Sequence, residues 1–243
     1  MSTIDKALDA LFVISESRTA MRLTDIAAAL KLPRSTTHRL LIPLVTRALV
    51  EQDEKSRYRS GVGLIALGLN GQANEPIAAL AQPILEAAAY DLGETFFLVV
   101  SRGGRLVVLE KAEGNGFLRA APRLGSEVPV HATAVGKLFL AFDPLFSAPD
   151  KLERFTANTV RSRAALHKQI GTAAKQAWAI NDEEWQTGLS VIAAPVMAGG
   201  RLIACVALAM VAARFHELGQ RAALRHVRHA ADGIAIKMER KTK

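Results

Sequence analysis

Cysteine is almost missing from this chain of 243 residues, since only Cys205 is present, inside an apolar run. One thiol cannot form a disulfide within the chain or supply the ligands of a cysteine-based metal site. Phosphate-binding loops, nucleophile elbows and metal-ligand spacings do not occur in the sequence either. We therefore expect no metal, no cofactor and no enzyme, and a reducing, cytoplasmic setting.

Long hydrophobic runs are also missing. The longest, residues 202–213, is too short to cross a bilayer, and Asp5 and Asp9 stand where a secretory signal would be cationic. The expected protein is soluble and has no membrane partner.

Acidic residues are outnumbered: 23 Asp and Glu stand against 31 Lys and Arg, and the formal net charge at pH 7 is +8. Such an excess favours a polyanionic partner without identifying it. The length suits two domains, and a hydrophobic content of 50% can fill more than one core.

The first sixty residues have the pattern of three short helices and a hairpin. Apolar residues between Ile4 and Phe12 recur at helical spacing. Thr24 is suited to cap a second helix, and Pro33 to open a third after a short turn. The residues predicted to share the buried face of the third helix are Thr37, Leu40, Leu41 and Leu44.

The other face of the third helix carries hydroxyl, imidazole and guanidinium groups. In a helix-turn-helix the second helix of the motif enters the major groove, where such side chains reach base edges. We interpret Ser35, Thr36 and Arg39 as base-reading residues. Arg34 and His38 could equally contact phosphates, which fix register without carrying sequence information.

A β wing is predicted next. Residues 49–52 and 57–60 can pair across a polar turn, which makes Lys55, Arg57 and Arg59 available to adjacent phosphates. Three helices and a hairpin can also form a protein-interaction module with a solvated charged face, and the pattern alone leaves that alternative open.

Pro43 lies about two turns into the third helix. It has no N–H to donate to the Arg39 carbonyl, so it should bend or shorten the helix beyond the reading surface.

The rest of the chain predicts a linker helix and then helices packed on an antiparallel sheet. A glycine-containing helical segment covers residues 61–76. Two hairpins turn at Gly103-Gly104 and at Gly199-Gly200. Further helices are predicted after Pro76, around the segment HATAVGK, over residues 163–176 and over residues 215–238. The fold class is therefore α+β.

Several segments, taken in order, resemble the IclR family of bacterial transcriptional regulators: TIDKALDALFVISES, LTDIAAALKLPRSTTHRLL, the wing, LGSEVPVHATAVGKLFLA and NDEEWQTGLSVIAAPV. The resemblance implies a winged helix-turn-helix over residues 1–60, a dimerising linker helix over 61–76, and a GAF-like effector-binding domain over 77–243. It also implies a homodimer or homotetramer on palindromic or repeated double-stranded DNA operators, controlled by a small-molecule effector.

The resemblance further implies an effector pocket around the loop before the HATAVGK helix and the strands of the second hairpin. Phe96 or Phe97 would add an aromatic wall, whichever points inward. The other implied lining residues are Ala120, Val128, Ala134, Val135, Asn181, Leu189, Val191, Ala207 and Ala209.

Four of these residues, Asn181, Val191, Ala207 and Ala209, stand where the family often has a carboxylate, a thiol or hydroxyls. A small carboxylate needs convergent donors to replace its lost hydration, so this pocket is poorly equipped for one. We expect an aromatic or relatively apolar metabolite. The alternative is a pocket filled by its own side chains.

An acid–base enzyme is the competing interpretation, built on His131, Lys137, Asp182, Glu183 and Glu184. The pattern favours other roles: His131 caps or orders its loop, the Lys137 ammonium lies at the surface, and the three acids form a turn. A sensor that acts on a protein partner is a further alternative.

Overall fold

The computed structural model describes residues 2–17, 19–73, 75–116 and 122–242. The chain forms two compact units, residues 1–75 and 76–243. None of the helices in these ranges combines the length and the hydrophobicity that a membrane span requires.

The N-terminal unit contains four helices and a small sheet. Its elements are α1 (Thr3–Glu16), β1 (Met21–Arg22), α2 (Leu23–Leu30), α3 (Arg34–Thr46), β2 (Val50–Gln52), β3 (Arg57–Ser60) and α4 (Val62–Ala73). The strands are antiparallel in the order β1-β3-β2. The core of this unit is formed by Ala10, Ile14, Ile26, Leu41, Leu44, Val50 and Tyr58.

The start of α2 differs from the prediction. Thr24 lies inside the helix, and Arg22 is the N-cap residue, whose backbone N–H donates to the Asp25 carboxylate at 3.3 Å. The Thr24 hydroxyl instead donates to Asp25. Because β1 runs directly into the helix at Leu23, the cap falls two residues earlier than Thr24.

The start of α3 has Pro33 as its N-cap residue, one position before the helix. The predicted buried face of α3 is confirmed, since Thr37, Leu40, Leu41 and Leu44 are all buried. The helix continues to Thr46, so Pro43 does not end it. A bend at Pro43 stays a prediction.

The C-terminal unit places helices on both faces of a five-stranded sheet. Its elements are α5 (Pro76–Leu92), β4 (Thr95–Arg102), β5 (Arg105–Ala112), α6 (Ala134–Phe142), α7 (Arg163–Gln176), β6 (Ala179–Asp182), β7 (Leu189–Ala198), β8 (Arg201–Val211), α8 (Ala212–Leu218) and α9 (Gln220–Thr242). The sheet is antiparallel in the order β5-β4-β8-β7-β6, so both predicted hairpins are confirmed.

The predicted helix over residues 215–238 is two helices. Gly219 separates α8 from α9 with φ of +79°, a left-handed value that no α-helix continues through. This correction could not come from apolar spacing, because glycine also occurs inside helices.

Strand alternation divides the core of this unit into two layers. Phe96 and Leu98 face the layer that α5 and α9 cover, whereas Phe97 and Val99 face the layer that α6 and α7 cover. The sheet register therefore decides which phenylalanine borders the loop before α6, and it is Phe97.

Candidate functional site

The exposed face of α3 is the first candidate surface. Since the buried residues of α3 hold the helix against α1 and α2, Arg34, Ser35, His38 and Arg39 are exposed and Thr36 is half-exposed. Among the described residues neither Arg34 nor Arg39 forms an ion pair. The first turn of the helix contains no acidic residue. The two guanidinium groups are therefore available to an anionic or hydrogen-bonding partner.

The wing has more internal pairing than its sequence suggests. Asp53 accepts hydrogen bonds from the backbone N–H groups of Lys55 and Arg57, both at 2.9 Å, and from Arg57 Nε at 2.8 Å. Hydrogen bonding to the Arg57 backbone is the main reason that the pKa of Asp53 is lowered. Arg57 thus shapes the turn, while the exposed Lys55 has no ion-pair partner among the described residues.

Arg59 is also paired, since its Nη2 lies 3.1 Å from the Glu51 carboxylate on the neighbouring strand. The other oxygen of Glu51 accepts from the backbone N–H of Val62 at the start of α4. A DNA phosphate would therefore compete with Glu51 for Arg59. Exposed ion pairs of this kind contribute only about 0–1 kcal/mol, so a phosphate can displace Glu51 from Arg59.

A cavity of about 520 Å³ lies in the C-terminal unit, on the sheet face that Phe97 borders. Four predicted residues line it: Phe97, Leu189, Val191 and Ala209. The sequence interpretation missed Trp185, which stands in the turn between β6 and β7, and the polar side of the loop before α6. The other lining residues are Pro122, Arg123, Ser126, Glu127, Gln186, Thr187, Gly188 and Val211.

The other predicted lining residues lie elsewhere. Four of them pack in the core layer between the sheet and α6, and they are Val128, Ala134, Val135 and Ala207. Asn181 is fully buried, and its Oδ1 accepts from the Glu184 N–H at 2.7 Å. Ala120 falls outside the described residues. The effector role of the whole set stays a prediction.

The turn that carries Trp185 is held by buried and half-buried polar groups. The Thr159 hydroxyl donates to the Glu184 carbonyl at 2.6 Å, the Thr156 hydroxyl donates to the Glu183 carbonyl at 2.7 Å, and Asn181 Oδ1 accepts from the Glu184 N–H at 2.7 Å. Because both backbone groups of Glu184 are bonded, the next residue, Trp185, has a defined position at the cavity wall.

Lys137 corrects the prediction that its ammonium lies at the surface. The residue is 2% exposed, and its Nζ donates to the Ile180 carbonyl at 2.8 Å and to Glu184 Oε1. Burial lowers the pKa of Lys137, and the Glu184 carboxylate opposes that shift. The face of α6 that carries Lys137 packs against β6, so the charge is buried with a partner 47 positions away in sequence.

His131 orders its loop but does not cap α6. Its Nε2 lies 2.8 Å from the Glu153 carbonyl, and its ring stacks on Phe155 with centroids 5.6 Å apart. The N-cap is Thr133, whose hydroxyl accepts from the Gly136 N–H. His131 is therefore occupied in holding two loop segments together.

A serine, an aspartate and a histidine do meet near β7, but in the wrong order for catalysis. Ser190 donates to Asp182, and His216 Nε2 lies 3.3 Å from the same carboxylate. A nucleophilic triad needs the histidine between serine and acid so that it can take the serine proton. Here the acid is in the middle and Ser190 is fully buried. The three side chains connect α8 to the edge of the sheet.

The comparisons with known proteins agree with this architecture. Residues 3–54 match the IclR helix-turn-helix domain, and residues 72–236 match the family described as bacterial transcriptional regulator IclR C-terminal. The chain belongs to the IclR family. It is a DNA-binding transcriptional regulator, and the predicted family and α+β fold class are confirmed.

Individual family members show how far the likeness extends. The HTH-type transcriptional regulator XynR of Escherichia coli (strain K12) is 31% identical over 221 residues, which cover 88% of each chain. The Thermotoga maritima IclR structure has a TM-score of 0.81 at 25% identity and covers 98% of each chain. An IclR homolog from Microbacterium hydrocarbonoxydans, complexed with 4-hydroxybenzoate, has a TM-score of 0.78 at 23% identity, covering 97% of this chain and 98% of that one.

Proposed function

We propose that this IclR-family regulator reads operator DNA with α3 and the wing, and that an aromatic or relatively apolar metabolite in the Phe97–Trp185 cavity controls its binding. The observation that carries the DNA part is the exposed polar face of α3. It combines short hydroxyls with two guanidinium groups that form no ion pair among the described residues, and this set contacts base edges in the major groove. On this proposal Ser35, Thr36 and Arg39 contact bases.

We assign phosphate contacts to Arg34, His38 and the wing. Lys55 is the primary wing contact, because it is exposed and unpaired among the described residues. Arg57 and Arg59 are secondary contacts, because each must first leave its carboxylate partner, Asp53 or Glu51, before it can bind a phosphate.

A homodimer or homotetramer on palindromic or repeated operators is the assembly that we propose. Apolar side chains form an exposed stripe on α1, at Ile4, Leu8 and Phe12, and further apolar residues are exposed on α4, at Val62, Ile65, Leu67 and Leu69. Clusters of exposed apolar side chains favour association. A two-fold dimer matches operator half-sites about 34–36 Å apart.

The effector class is inferred from the cavity walls. Phe97, Trp185, Val191 and Ala209 offer aromatic and aliphatic surface, and about 520 Å³ lies within the roughly 300–1,000 Å³ of small-molecule sites. Arg123, Ser126 and Glu127 add polar groups to one side of the lining, which suits an aromatic ring that carries one polar substituent. The 4-hydroxybenzoate complex of a family member supports this class.

We further propose that the chain is not an enzyme and acts on DNA in the cytoplasm. The support is that Lys137, Glu184 and His131 are each engaged in buried structural bonds, and that Asp182 separates Ser190 from His216. None of these groups is placed to exchange a proton with a substrate in the cavity.

The DNA proposal is tested by measuring affinity for the upstream DNA of the protein's own gene and for random DNA of equal length. Arg39→Ala should lose about 1–3 kcal/mol on the specific site and much less on random DNA. Lys55→Ala should weaken both similarly and reduce the salt slope by about one. Lys175→Ala, which removes an exposed charge from the C-terminal unit, is the control. Equal losses for Arg39→Ala on both DNAs would remove that residue from base reading.

The effector proposal is tested by thermal shift with 4-hydroxybenzoate and benzoate against glyoxylate and pyruvate. The aromatic acids should raise the melting temperature of the wild type but not of Phe97→Ala. Stabilisation by glyoxylate or pyruvate alone would contradict an aromatic effector. Operator affinity measured with and without the bound ligand then tests whether the ligand controls DNA binding. Such control requires that the ligand bind the DNA-binding and non-binding states with different affinity.

A further inference from the structure

A second cleft, of about 200 Å³, lies beside the Lys137–Glu184 pair. One side of this cleft is α7, with Lys168, Gln169 and Thr172. Its floor is apolar, with Ala173 and Ala179. It shares no lining residue with the Phe97–Trp185 cavity, although Glu184 and Trp185 are neighbours in the chain.

Two buried oxygens at this cleft have no hydrogen-bond donor among the described residues. They are Oε2 of Glu184 and Oε1 of Gln169, and both side chains line the cleft. Glu184 is 7% exposed. Buried acceptors in folded proteins are nearly always satisfied. Asn181 Nδ2 is a buried donor that also lacks a partner among the described residues, but Asn181 does not line the cleft, so a donor inside the cleft has to come from a bound molecule.

The charged groups around the cleft limit the kind of ligand that can donate hydrogen bonds to these two oxygens. Lys137 has three N–H groups, and two are accepted by Ile180 and by Glu184 Oε1. Lys168 adds a second ammonium at the exposed edge. A simple cation would be repelled by two lysines, whereas a simple anion would meet two acceptor oxygens. A molecule that carries both charges satisfies both sets.

We propose that this cleft binds a small neutral α-amino acid as its zwitterion, with its ammonium toward Glu184 and Gln169 and its carboxylate toward Lys137 and Lys168. The cleft volume of about 200 Å³ corresponds to about seven waters at about 30 Å³ each, which is enough for a molecule of the size of alanine or valine. The alanine floor accepts a short aliphatic side chain. Because both oxygens are fully buried, rotations of the Gln169 and Glu184 side chains accompany binding.

Isothermal titration calorimetry of the full-length protein tests the proposal with L-alanine and L-valine. Propionate and ethylamine serve as probes that each carry one of the two charges. At least one amino acid should bind with Kd below about 1 mM, and neither single-charge probe should. Gln169→Met should weaken binding at least about tenfold, and Lys168→Met, which removes an exposed charge, should weaken it about two- to fivefold. Lys175→Met on the same helix should bind as the wild type does.

These variants change α7 side chains outside the Lys137–Glu184 pair, and an unchanged melting temperature establishes that each is folded. The proposal is overturned if neither amino acid binds below about 1 mM, if propionate or ethylamine binds as well, or if the α7 variants keep wild-type affinity. The titration contains no DNA and no aromatic ligand. The calorimetric result for the amino acids therefore does not depend on whether the effector proposal holds.

Discussion

Replacement of Lys137 with Met tests how much the buried ion pair contributes to the C-terminal unit. The change removes the partner of a carboxylate that is 7% exposed and whose second oxygen already lacks a donor among the described residues. Removing one member of a buried pair costs about 3–5 kcal/mol, because the other charge is left desolvated. At about 2–4 °C per kcal/mol for a unit of this size, the midpoint should fall by about 6–20 °C.

Tryptophan fluorescence during urea or thermal unfolding is a suitable assay, because both tryptophans, Trp178 and Trp185, lie in the C-terminal unit. The signal therefore reports that unit alone. Lys175→Met, at an exposed lysine, should change stability by no more than about 0.5 kcal/mol. Combining Lys137→Met with Glu184→Leu should recover at least half of the loss, since no buried charge then remains.

Two outcomes would refute the ion-pair argument for Lys137 and Glu184. One is a loss of unfolding free energy below about 1 kcal/mol for Lys137→Met, and the other is a double variant as unstable as the single one.

Three further predictions follow from the contacts. Gly136→Ala would place a Cβ 1.8 Å from a backbone carbonyl oxygen of the preceding loop and should lower the free energy of unfolding by about 3 kcal/mol or more. Gly171→Ala, which has open space around its Cβ, should raise it by about 0.5–1 kcal/mol. Urea unfolding measures both changes, and equal effects would contradict the close approach at Gly136. Ile65→Glu on α4 should shift the protein toward smaller species in sedimentation velocity, and an unchanged oligomer would exclude Ile65 from the interface. Because the folded pKa of Asp53 is lowered, its contribution to the wing is complete above about pH 4 and is lost as the pH falls through the lowered value. The Arg57 amide resonance should titrate with a midpoint below the ordinary Asp value, and a midpoint at or above about 3.9 would contradict the hydrogen-bonded turn.

The Lys137–Glu184 pair illustrates what sequence could not supply for the candidate site. The two residues are 47 positions apart, and a lysine on an amphipathic helix is usually exposed. Trp185 was missed for the same reason, because a turn residue becomes a cavity wall only through the loop packed opposite it. The acidic partners of the wing arginines were within reach, since Asp53 and Arg57 are four residues apart and Glu51 pairs with Arg59 across the hairpin.

Local sequence patterns were enough to predict most of the helices, the two hairpins of the C-terminal unit, the α+β fold class and the exposed face of α3. These features depend on local periodicity, on glycines at turns and on segments that resemble the IclR family in the same order, and all three can be recognised in the sequence. Tertiary structure alone decided that Phe97 and not Phe96 borders the cavity, that Lys137 is buried, and that two separate clefts adjoin the Glu184 turn. The physical reason is that burial and charge pairing depend on strand register and helix packing, which bring together residues that no local pattern connects.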